Sequence, residues 1–348
     1  MRAALSAFRG SCAQITKQLD ATPMGGVGYA GSARDWHDAC AAVPANDVSA
    51  ADTRAFFETW FAPFAITQGG NASGLFTGYF EPEIRGSRTK HDLYLIPVFG
   101  LPADLVSVDL GLFRDALKGE RIAGKLQGNK LVPYATRAEI DARGLANAPV
   151  LFYADDPVAV FFMQVQGSGR VVFDDSSRAR AVYAGGNGQI YTAIGRTLVA
   201  RGVLPRENLS LQSIRDWLKR NPDQARAVME TNRSYIFFAL EPLGDPSLGS
   251  KGSEGVALTP QASLAIDPRV HPFGVPFFLA APDLDRLAIA QDTGGAIRGA
   301  IRGDFYWGAG VDAEAKAGAM KSNGQLFVLL PKVLAKAIAP YKDYKSAP

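Results

Sequence analysis

A short segment in the last sixth of the chain concentrates side chains that can transfer protons. Between Ala290 and Gly310, Asp292 and Asp304 stand among six glycines, two arginines and three consecutive aromatic residues. An aspartate beside apolar surface has a raised pKa, so it can hold a proton and donate it. We predict that Asp304, followed by Phe305–Trp307, is a general acid. A structural alternative, in which both aspartates cap turns and pair with the arginines, stays open.

Three other segments combine glycine with neutral hydrogen-bonding side chains and aromatic rings. They are Thr77–Pro82, Gln164–Arg170 and Tyr183–Tyr191. Neutral amides and hydroxyls suit a ligand rich in hydroxyl and amide groups, such as an N-acetylated sugar chain. We expect substrate contacts from Thr77, Gly78, Tyr79, Gln164, Gln166, Ser168, Tyr183 and Asn187. Alternation along a strand would place the two glutamines and Ser168 on one face. Turn chemistry within a barrel is the alternative for each segment.

Signals for other chemistries are weak. The Gly26–Gly31 segment matches a dinucleotide fingerprint, but no strand precedes it and no βαβ unit surrounds it. Ser168 lies in Gly-Ser-Gly, which lacks the spacing of the hydrolase nucleophile elbow. The histidines His37, His91 and His271 have no partner at metal-ligand spacing. We therefore expect no metal and no cofactor.

Composition is that of an ordinary folded protein. The chain has 348 residues, a formal net charge of +3 and 47% hydrophobic residues. Basic residues are spread along the sequence, which argues against a nucleic-acid binder. No apolar run approaches the length of a membrane span. Length favours about two domains.

The two cysteines, Cys12 and Cys40, both fall in the N-terminal segment. A disulfide between them would favour an exported protein, whereas two buried thiols would suit a reducing compartment. We expect the disulfide.

The elements that must position these residues are mostly strands. Residues 1–66 have helical patterns, with Ser49 as a cap and an aromatic face from Phe56 to Phe64 that we expect in the core. Further helices are expected around residues 191–229. Strand-like runs are Leu75–Phe80, Tyr94–Phe99, Lys130–Tyr134, Val150–Tyr153, Val158–Gln166, Arg170–Phe173, Tyr235–Leu240, Leu264–Ile266, Pro276–Leu279, Leu287–Asp292 and Gln325–Leu330. Two β-barrels in contact, with a cleft, would fit this order.

Together the segments resemble the MltA family of membrane-bound lytic transglycosylases. The matching pieces are Thr77-Gly-Tyr-Phe-x-Pro82, Val165-Gln-Gly-Ser-Gly169, Tyr183-Ala-Gly-x-Asn-Gly188, Asn232-x-Ser-Tyr-Ile-Phe-Phe238, and Asp292-x-Gly-Gly-Ala-Ile-x-Gly299 followed by Asp304. The C-terminal portion also resembles the family's three-aspartate module, which would match Asp267, Asp292 and Asp304. This resemblance adds Asp267 to the expected substrate contacts.

The resemblance implies a fold that is mainly β, with N-terminal helices. It comprises a double-psi β-barrel domain, into which a smaller β-barrel domain is inserted, and a glycan groove between them. The main domain would span residues 1–83 and 232–348, and the insert residues 84–231. Two departures from the family pattern are a loop between Asp292 and Asp304 that is one residue longer, and Glu81, where a threonine is common. An acidic group there would be expected to alter substrate contacts.

The implied activity is cleavage of the β-1,4 bond between N-acetylmuramic acid and N-acetylglucosamine in peptidoglycan, leaving a 1,6-anhydromuramic end. Asp304 would be the catalytic acid and base, and Asp292 its support. Peptidoglycan strands are the expected partner, with wall synthases or scaffolds open as further ones. We expect a monomer in the periplasm, with outer-membrane association open. A hydrolytic glycosidase using both aspartates, or a non-catalytic wall-binding module, stays open as an alternative.

Overall fold

The computed structural model describes residues 1–117, 119–282 and 284–335. The α-helices are α1 Arg2–Ile15, α2 Arg34–Ala41, α3 Ala50–Trp60, α4 Arg137–Arg143, α5 Pro157–Gln166, α6 Ile194–Ala200, α7 Leu211–Arg220, α8 Pro222–Met229, α9 Val311–Ala319 and α10 Lys332–Ala335. None of the helices in these ranges is both long and apolar enough to cross a bilayer.

Strands make up most of the remaining framework. They are β1 Phe61–Ala65, β2 Gly74–Glu81, β3 Glu83–Ser87, β4 Ile96–Phe99, β5 Val106–Asp109, β6 Arg121–Gln127, β7 Lys130–Pro133, β8 Val150–Ala154, β9 Gly169–Phe173, β10 Arg178–Gly186, β11 Ile236–Pro242, β12 Ser263–Ala265, β13 Pro276–Ala281, β14 Leu284–Asp292, β15 Arg302–Ala309 and β16 Lys321–Pro331.

The chain divides into two compact units. Among the described residues, the first unit contains 1–77, 251–306 and 321–335, and the second contains 78–250 and 307–320. The division falls within β2 and within β15. The expected insert, residues 84–231, lies wholly in the second unit, while its boundaries remain a prediction.

A closed circuit of strands forms the centre of the first unit. Seven strands pair in the order β1-β16-β13-β14-β12-β15-β2, and β16 also pairs with β2. That last pairing closes a ring of six strands, from β16 through β13, β14, β12, β15 and β2 back to β16, and leaves β1 outside the ring as an edge strand. Four of its side chains are fully buried: Phe76, Leu264, Phe277 and Phe305. The fold is sheet-rich with a helical start, as expected, and the double-psi crossover remains a prediction.

The N-terminal helices pack against this sheet through aromatic side chains. Phe8 of α1 lies 5.4 Å, centroid to centroid, from Phe61 and 6.4 Å from Trp36. The structure joins Cys12 of α1 to Cys40 of α2 by a disulfide across 28 residues. In the chain-entropy model, closing a loop of this length stabilises the fold by roughly 3–4 kcal/mol.

The second unit contains two separate sheets. One has six strands in the order β11-β10-β9-β3-β8-β4, and the other is the three-stranded β5-β6-β7. Helix α5 contributes Val160 and Met163 to the core of the larger sheet. Its opposite side packs Phe162 against the helical group formed with α6, α7 and α8. The strands β3, β5, β6 and β10 of this unit were not predicted from the sequence.

The prediction of a strand over Val158–Gln166 was wrong, because this segment is helix α5. Its apolar run reads equally as a buried helix, and the local signals favour that structure. Asp156 accepts hydrogen bonds from the backbone N–H groups of Val158 and Ala159, and Pro157 occupies the first turn. Gly167, with φ +84°, ends the helix in the left-handed region.

Other local expectations had mixed outcomes. The Ser49 cap is confirmed, since its side chain accepts from the N–H of Asp52. The aromatic face was expected to be helical throughout, but the chain enters strand β1 at Phe61. Tyr191 likewise precedes helix α6, which begins at Ile194.

Candidate active site

Asp304 lies on β15 in the first unit, where two neighbouring strands fix its position. Residue Ala265 of β12 is its register partner. From β2, the Thr77 hydroxyl donates a hydrogen bond of 2.7 Å to Oδ1 of Asp304. Arg302 Nη2 in turn donates to the Thr77 hydroxyl oxygen at 2.9 Å. The structure thus brings together Thr77 and Asp304, two residues that the sequence nominated separately.

The surroundings of Asp304 favour its protonated form. Burial raises the pKa of this carboxyl, and the charge of Asp292 adds to the rise, while the Thr77 hydrogen bond and the Arg302 charge oppose it. Within the described residues, no cation lies within ion-pair distance of Asp304. The residue nevertheless keeps part of its surface accessible. A desolvated carboxyl on a residue that keeps some accessible surface is suited to act as a general acid.

Asp292 ends β14 and faces the same central strand. Ala265 is its register partner too, so β12 separates the two aspartates. Two strand spacings put their Cα atoms about 10 Å apart. Oδ1 of Asp292 accepts hydrogen bonds from the Ser253 N–H at 3.1 Å and from the Ser253 hydroxyl at 2.9 Å. Asp292 therefore secures a turn and adds negative charge to the site.

Asp267 and His271 hold the loop between Asp292 and Asp304 in place through hydrogen bonds. Asp267 accepts a 2.8 Å hydrogen bond from the Gly299 N–H and is clamped by Arg269, whose Nη2 lies 2.9 Å away. The His271 ring contacts the Ala300 carbonyl at 2.7 Å through Nε2. Since only an N–H can bond a carbonyl, Nε2 carries the proton. These bonds set the path of the chain into β15.

The environment of Asp267 differs from that of Asp304. Burial alone would raise the pKa of Asp267, but hydrogen bonds from Arg269 and from the Gly299 N–H outweigh it and lower the pKa to about 2. The side chain is 1% exposed. Asp267 is therefore an ionised residue that anchors the loop. We do not assign it a direct contact with substrate, although the resemblance led us to expect one.

Two of the residues that the sequence nominated in the second unit form hydrogen bonds with other residues of that unit. The Gln166 side-chain oxygen accepts from the Phe80 N–H at 3.1 Å. The Ser250 hydroxyl donates to the Ser168 hydroxyl at 3.0 Å. Gln164 lies on α5 together with Gln166, but two residues of an α-helix are about 200° apart around its axis. The expectation that Gln164, Gln166 and Ser168 share a strand face was therefore wrong.

The side chain of Asn187 forms hydrogen bonds within its own unit. Its amide nitrogen donates to the carbonyls of Ala135 and Arg233, and its oxygen accepts from the Tyr235 N–H. The residue is fully buried. These bonds hold three chain segments together, which accounts for an asparagine here, and a sugar contact by Asn187 is not carried further.

Gly78 and Tyr183 have different surroundings. A Cβ at Gly78 would come within 2.6 Å of the Trp307 ring nitrogen, so only glycine permits this close approach. Tyr183 is 60% exposed, beside a bulge in β10. An exposed aromatic ring suits stacking on a sugar. Tyr79 is half-buried on β2. Contacts of these three residues with substrate remain predictions.

Glu81 does not present its charge to a ligand, contrary to the expectation from its acidic side chain. Its carboxylate is completely buried between two guanidinium groups, 2.9 Å from Nε of Arg170 and 2.7 Å from Nε of Arg180. Both arginines also donate to the Leu248 carbonyl. The attraction between the carboxylate and the two guanidinium groups at these distances offsets the desolvation cost of burying the charges. Glu81 is therefore a structural residue.

The sequence analysis did not predict that Arg302 and Ser253 belong to the site. Arg302 was considered only as a salt-bridge partner of an aspartate, but it bonds the Thr77 hydroxyl and the Leu75 carbonyl. Ser253 is 39 residues from Asp292 in the chain. Arginine two residues before Asp304 was a visible signal, because alternation puts both on one strand face. Ser253 gave no signal.

Family models match two parts of the chain. Residues 75–239 match the MltA specific insert domain, and residues 262–330 match the 3D domain. The membrane-bound lytic murein transglycosylase A of Vibrio cholerae is 35% identical over 283 residues, which cover 75% of this chain and 67% of that protein. The protein of the same name from Escherichia coli K12 is 32% identical over 267 residues, covering 73% of this chain and 65% of its own.

Solved structures agree with these matches. The membrane-bound lytic murein transglycosylase of Agrobacterium tumefaciens has a TM-score of 0.81 at 31% identity, covering 95% of this chain and 94% of that one. MltA of Neisseria gonorrhoeae, in a monoclinic crystal, gives 0.77 at 32% identity over 94% and 87%. E. coli MltA with bound chitohexaose gives 0.69 at 26% identity over 94% and 90%.

Proposed function

This chain belongs to the MltA family of lytic transglycosylases, and we propose that Asp304 is its catalytic residue. The enzyme class expected from the sequence is confirmed by the relatives, which are lytic murein transglycosylases. The reaction is cleavage of the β-1,4 bond between N-acetylmuramic acid and N-acetylglucosamine. The product has a 1,6-anhydromuramic end. One observation carries the assignment of Asp304: its carboxyl is desolvated and has no cation at ion-pair distance within the described residues, while the residue keeps part of its surface accessible.

In the first step, protonated Asp304 donates its proton to the glycosidic oxygen. The bond between that oxygen and the anomeric carbon breaks, and the N-acetylglucosamine side leaves as an alcohol. Positive charge develops at the anomeric carbon in an oxocarbenium-like transition state. The Thr77 hydroxyl, 2.7 Å from Oδ1, keeps the carboxyl oriented and stabilises the carboxylate that forms. The negative charge of Asp292 stabilises the positive charge that develops at the anomeric carbon.

In the second step, the 6-hydroxyl of the same muramic acid attacks the anomeric carbon. The ionised Asp304 takes the proton of that hydroxyl, which restores the starting state of the enzyme. Because the nucleophile is intramolecular, no second carboxylate is needed to activate water. Ordinary glycosidases need that second group. Asp292, bonded to Ser253, is assigned to support rather than to proton transfer.

The substrate, partners and location are proposed on the same basis. A solved relative binds chitohexaose, a chain of N-acetylated sugars. We assign contacts with such a glycan to Thr77, Gly78, Tyr79, Gln166, Ser168 and Tyr183. The relatives are named membrane-bound, and the Cys12–Cys40 disulfide fits an oxidising compartment. The proposed location is the periplasm, as a monomer, with wall synthases or scaffolds as further partners.

Digestion of purified sacculi in water labelled with oxygen-18 tests the reaction. Mass spectrometry should find anhydromuramic ends that lack the mass of one water and carry no label. A hydrolase using Asp292 and Asp304 would instead produce reducing ends that contain the label. A wall-binding module would leave the sacculi uncut. Either result would reject the proposed function.

A further inference from the structure

A second cavity, separate from the Asp304 site, lies wholly within the second unit. It has a volume of about 570 Å³, which is within the range of small-molecule sites. Helices α4, α5 and α8 and strand β4 line it, with a mainly apolar surface that includes Phe99, Ile140 and Met229. Several polar side chains interrupt that surface.

Arg137 offers a cation to this cavity. Its guanidinium is buried and donates from Nε to the Asn232 carbonyl and from Nη2 to the Ser234 carbonyl. The rings of Phe161 and Tyr235 lie 4.8 and 5.1 Å from its central carbon. Within the described residues, Nη1 forms no hydrogen bond. A fixed guanidinium with a spare donor is suited to binding a carboxylate.

Asp141 supplies the opposite charge from the same helix. It follows Arg137 by four residues on α4, so the two side chains occupy one helix face. Over the described ranges, no ion pair joins them. Asp141 lines the cavity and is an exposed residue, and partial burial of its carboxyl raises its pKa to about 6.

Gln164 offers a hydrogen-bond acceptor to the same cavity. Its side chain is 4% exposed, lines the cavity, and has an oxygen without a hydrogen-bond partner within the described residues. Leaving such an acceptor unbonded costs about 1–3 kcal/mol. An N–H group of a ligand would satisfy it. Gln164 is one of the two glutamines that the sequence analysis had assigned to the glycan.

The remaining charges of the cavity wall are already compensated. Arg226 is paired with Glu230 at 2.7 Å, and Lys219 lies 3.9 Å from Asp156, whose other oxygen caps α5. That leaves one cation and one anion on α4, and one free amide acceptor on α5, around an apolar space.

We propose that this cavity binds a zwitterionic amino acid or short peptide. Arg137 Nη1 binds the carboxylate, Asp141 accepts from the ammonium group, and the Gln164 oxygen accepts a further N–H. The apolar wall takes an aliphatic side chain. A fatty acid would satisfy only Arg137, and a sugar would leave both charges without a partner.

Titration calorimetry on the full chain tests this with alanyl-leucine and with leucine as probes. At least one should bind, and the tighter one tells whether the source is a peptide or a free amino acid. Alanyl-leucinamide, which lacks the carboxylate, and N-acetyl-alanyl-leucine, which lacks the ammonium, should each bind at least about tenfold more weakly. Octanoate should bind more weakly still. Equal binding of all these probes, or no binding at millimolar concentration, would overturn the proposal.

Two variants assign the binding to this cavity. Asp141→Asn should weaken the zwitterion at least about tenfold, and Gln164→Leu at least about fivefold. Asp216→Asn, which changes an exposed carboxylate on α7 of the same unit, is the matched control and should bind as the wild type does. Wild-type affinity in Asp141→Asn would reject the site. Sacculus cleavage should be unchanged in Asp141→Asn, so the result is independent of the Asp304 assignment.

Discussion

Asp267 and Asp304 are two aspartates of one module with opposite environments. Asp267 is clamped by Arg269 and by the Gly299 N–H, and its pKa is lowered to about 2. Asp304 receives a neutral hydroxyl from Thr77, and burial raises its pKa. The comparison shows that desolvation alone does not decide the charge of a carboxyl. The number and charge of its donors decide it, and the same residue type becomes an anchor or an acid.

The largest expected effect separates the two aspartates by activity. Asp304→Asn should lower the rate of anhydro-product formation by about 10²–10⁴-fold, because a general acid is lost. The melting temperature should stay near that of the wild type, since no ion pair is broken. Turnover is measured by mass spectrometry of digested sacculi, and melting by circular dichroism. Near-wild-type turnover would refute the assignment of Asp304.

The second effect separates them by stability. Asp267→Asn should reduce the free energy of unfolding by about 2 kcal/mol, because a buried, charge-assisted set of hydrogen bonds is weakened. Urea unfolding of the two variants side by side measures the contrast. An Asp267→Asn protein as stable as the wild type would mean that Asp267 is not an anchor.

The third prediction concerns the donor to Asp304. Thr77→Val removes the hydroxyl that lowers the pKa of Asp304, so that pKa should rise further. The alkaline limb of the pH–rate profile should move to higher pH, and the rate should fall about tenfold. Thr77→Ser keeps a hydroxyl and is the control. An unshifted limb in Thr77→Val, with only KM changed, would assign Thr77 to sugar binding alone.

The smallest effect is the pH dependence of stability. The folded pKa of Asp267 is below its unfolded value, so its contribution is present above about pH 4 and is lost as pH falls toward 2. The stability lost on acidification is about 1–2 kcal/mol, because Arg269 is partly exposed and solvent screens its interaction with Asp267. Asp304 acts with the opposite sign, since its raised pKa favours the protonated folded state. Acid titration of unfolding should show a shallower loss in Asp267→Asn than in the wild type.

Local signals determined many elements correctly from sequence. The Ser49 cap acts within a few residues, so the sequence displays it directly. Helix α5 was missed because nine mostly apolar residues fit a buried strand as well as a buried helix. Its Asp-Pro start and glycine end were the better evidence.

The sequence by itself nominated Asp304 as the candidate acid, Asp292 as its support and Thr77 as a sugar contact, because their segments combine carboxyl or hydroxyl groups with glycine and aromatic residues. Only the tertiary structure decided their charges and partners. Thr77 is 227 residues from Asp304, and Ser168 is 82 from Ser250. Glu81, Asn187 and Asp267 resemble ligand-binding residues in the sequence, but their hydrogen bonds are made with protein neighbours, most of which are distant in the chain. The pKa of a carboxyl depends on those neighbours and on burial, and neither is fixed until the chain has folded.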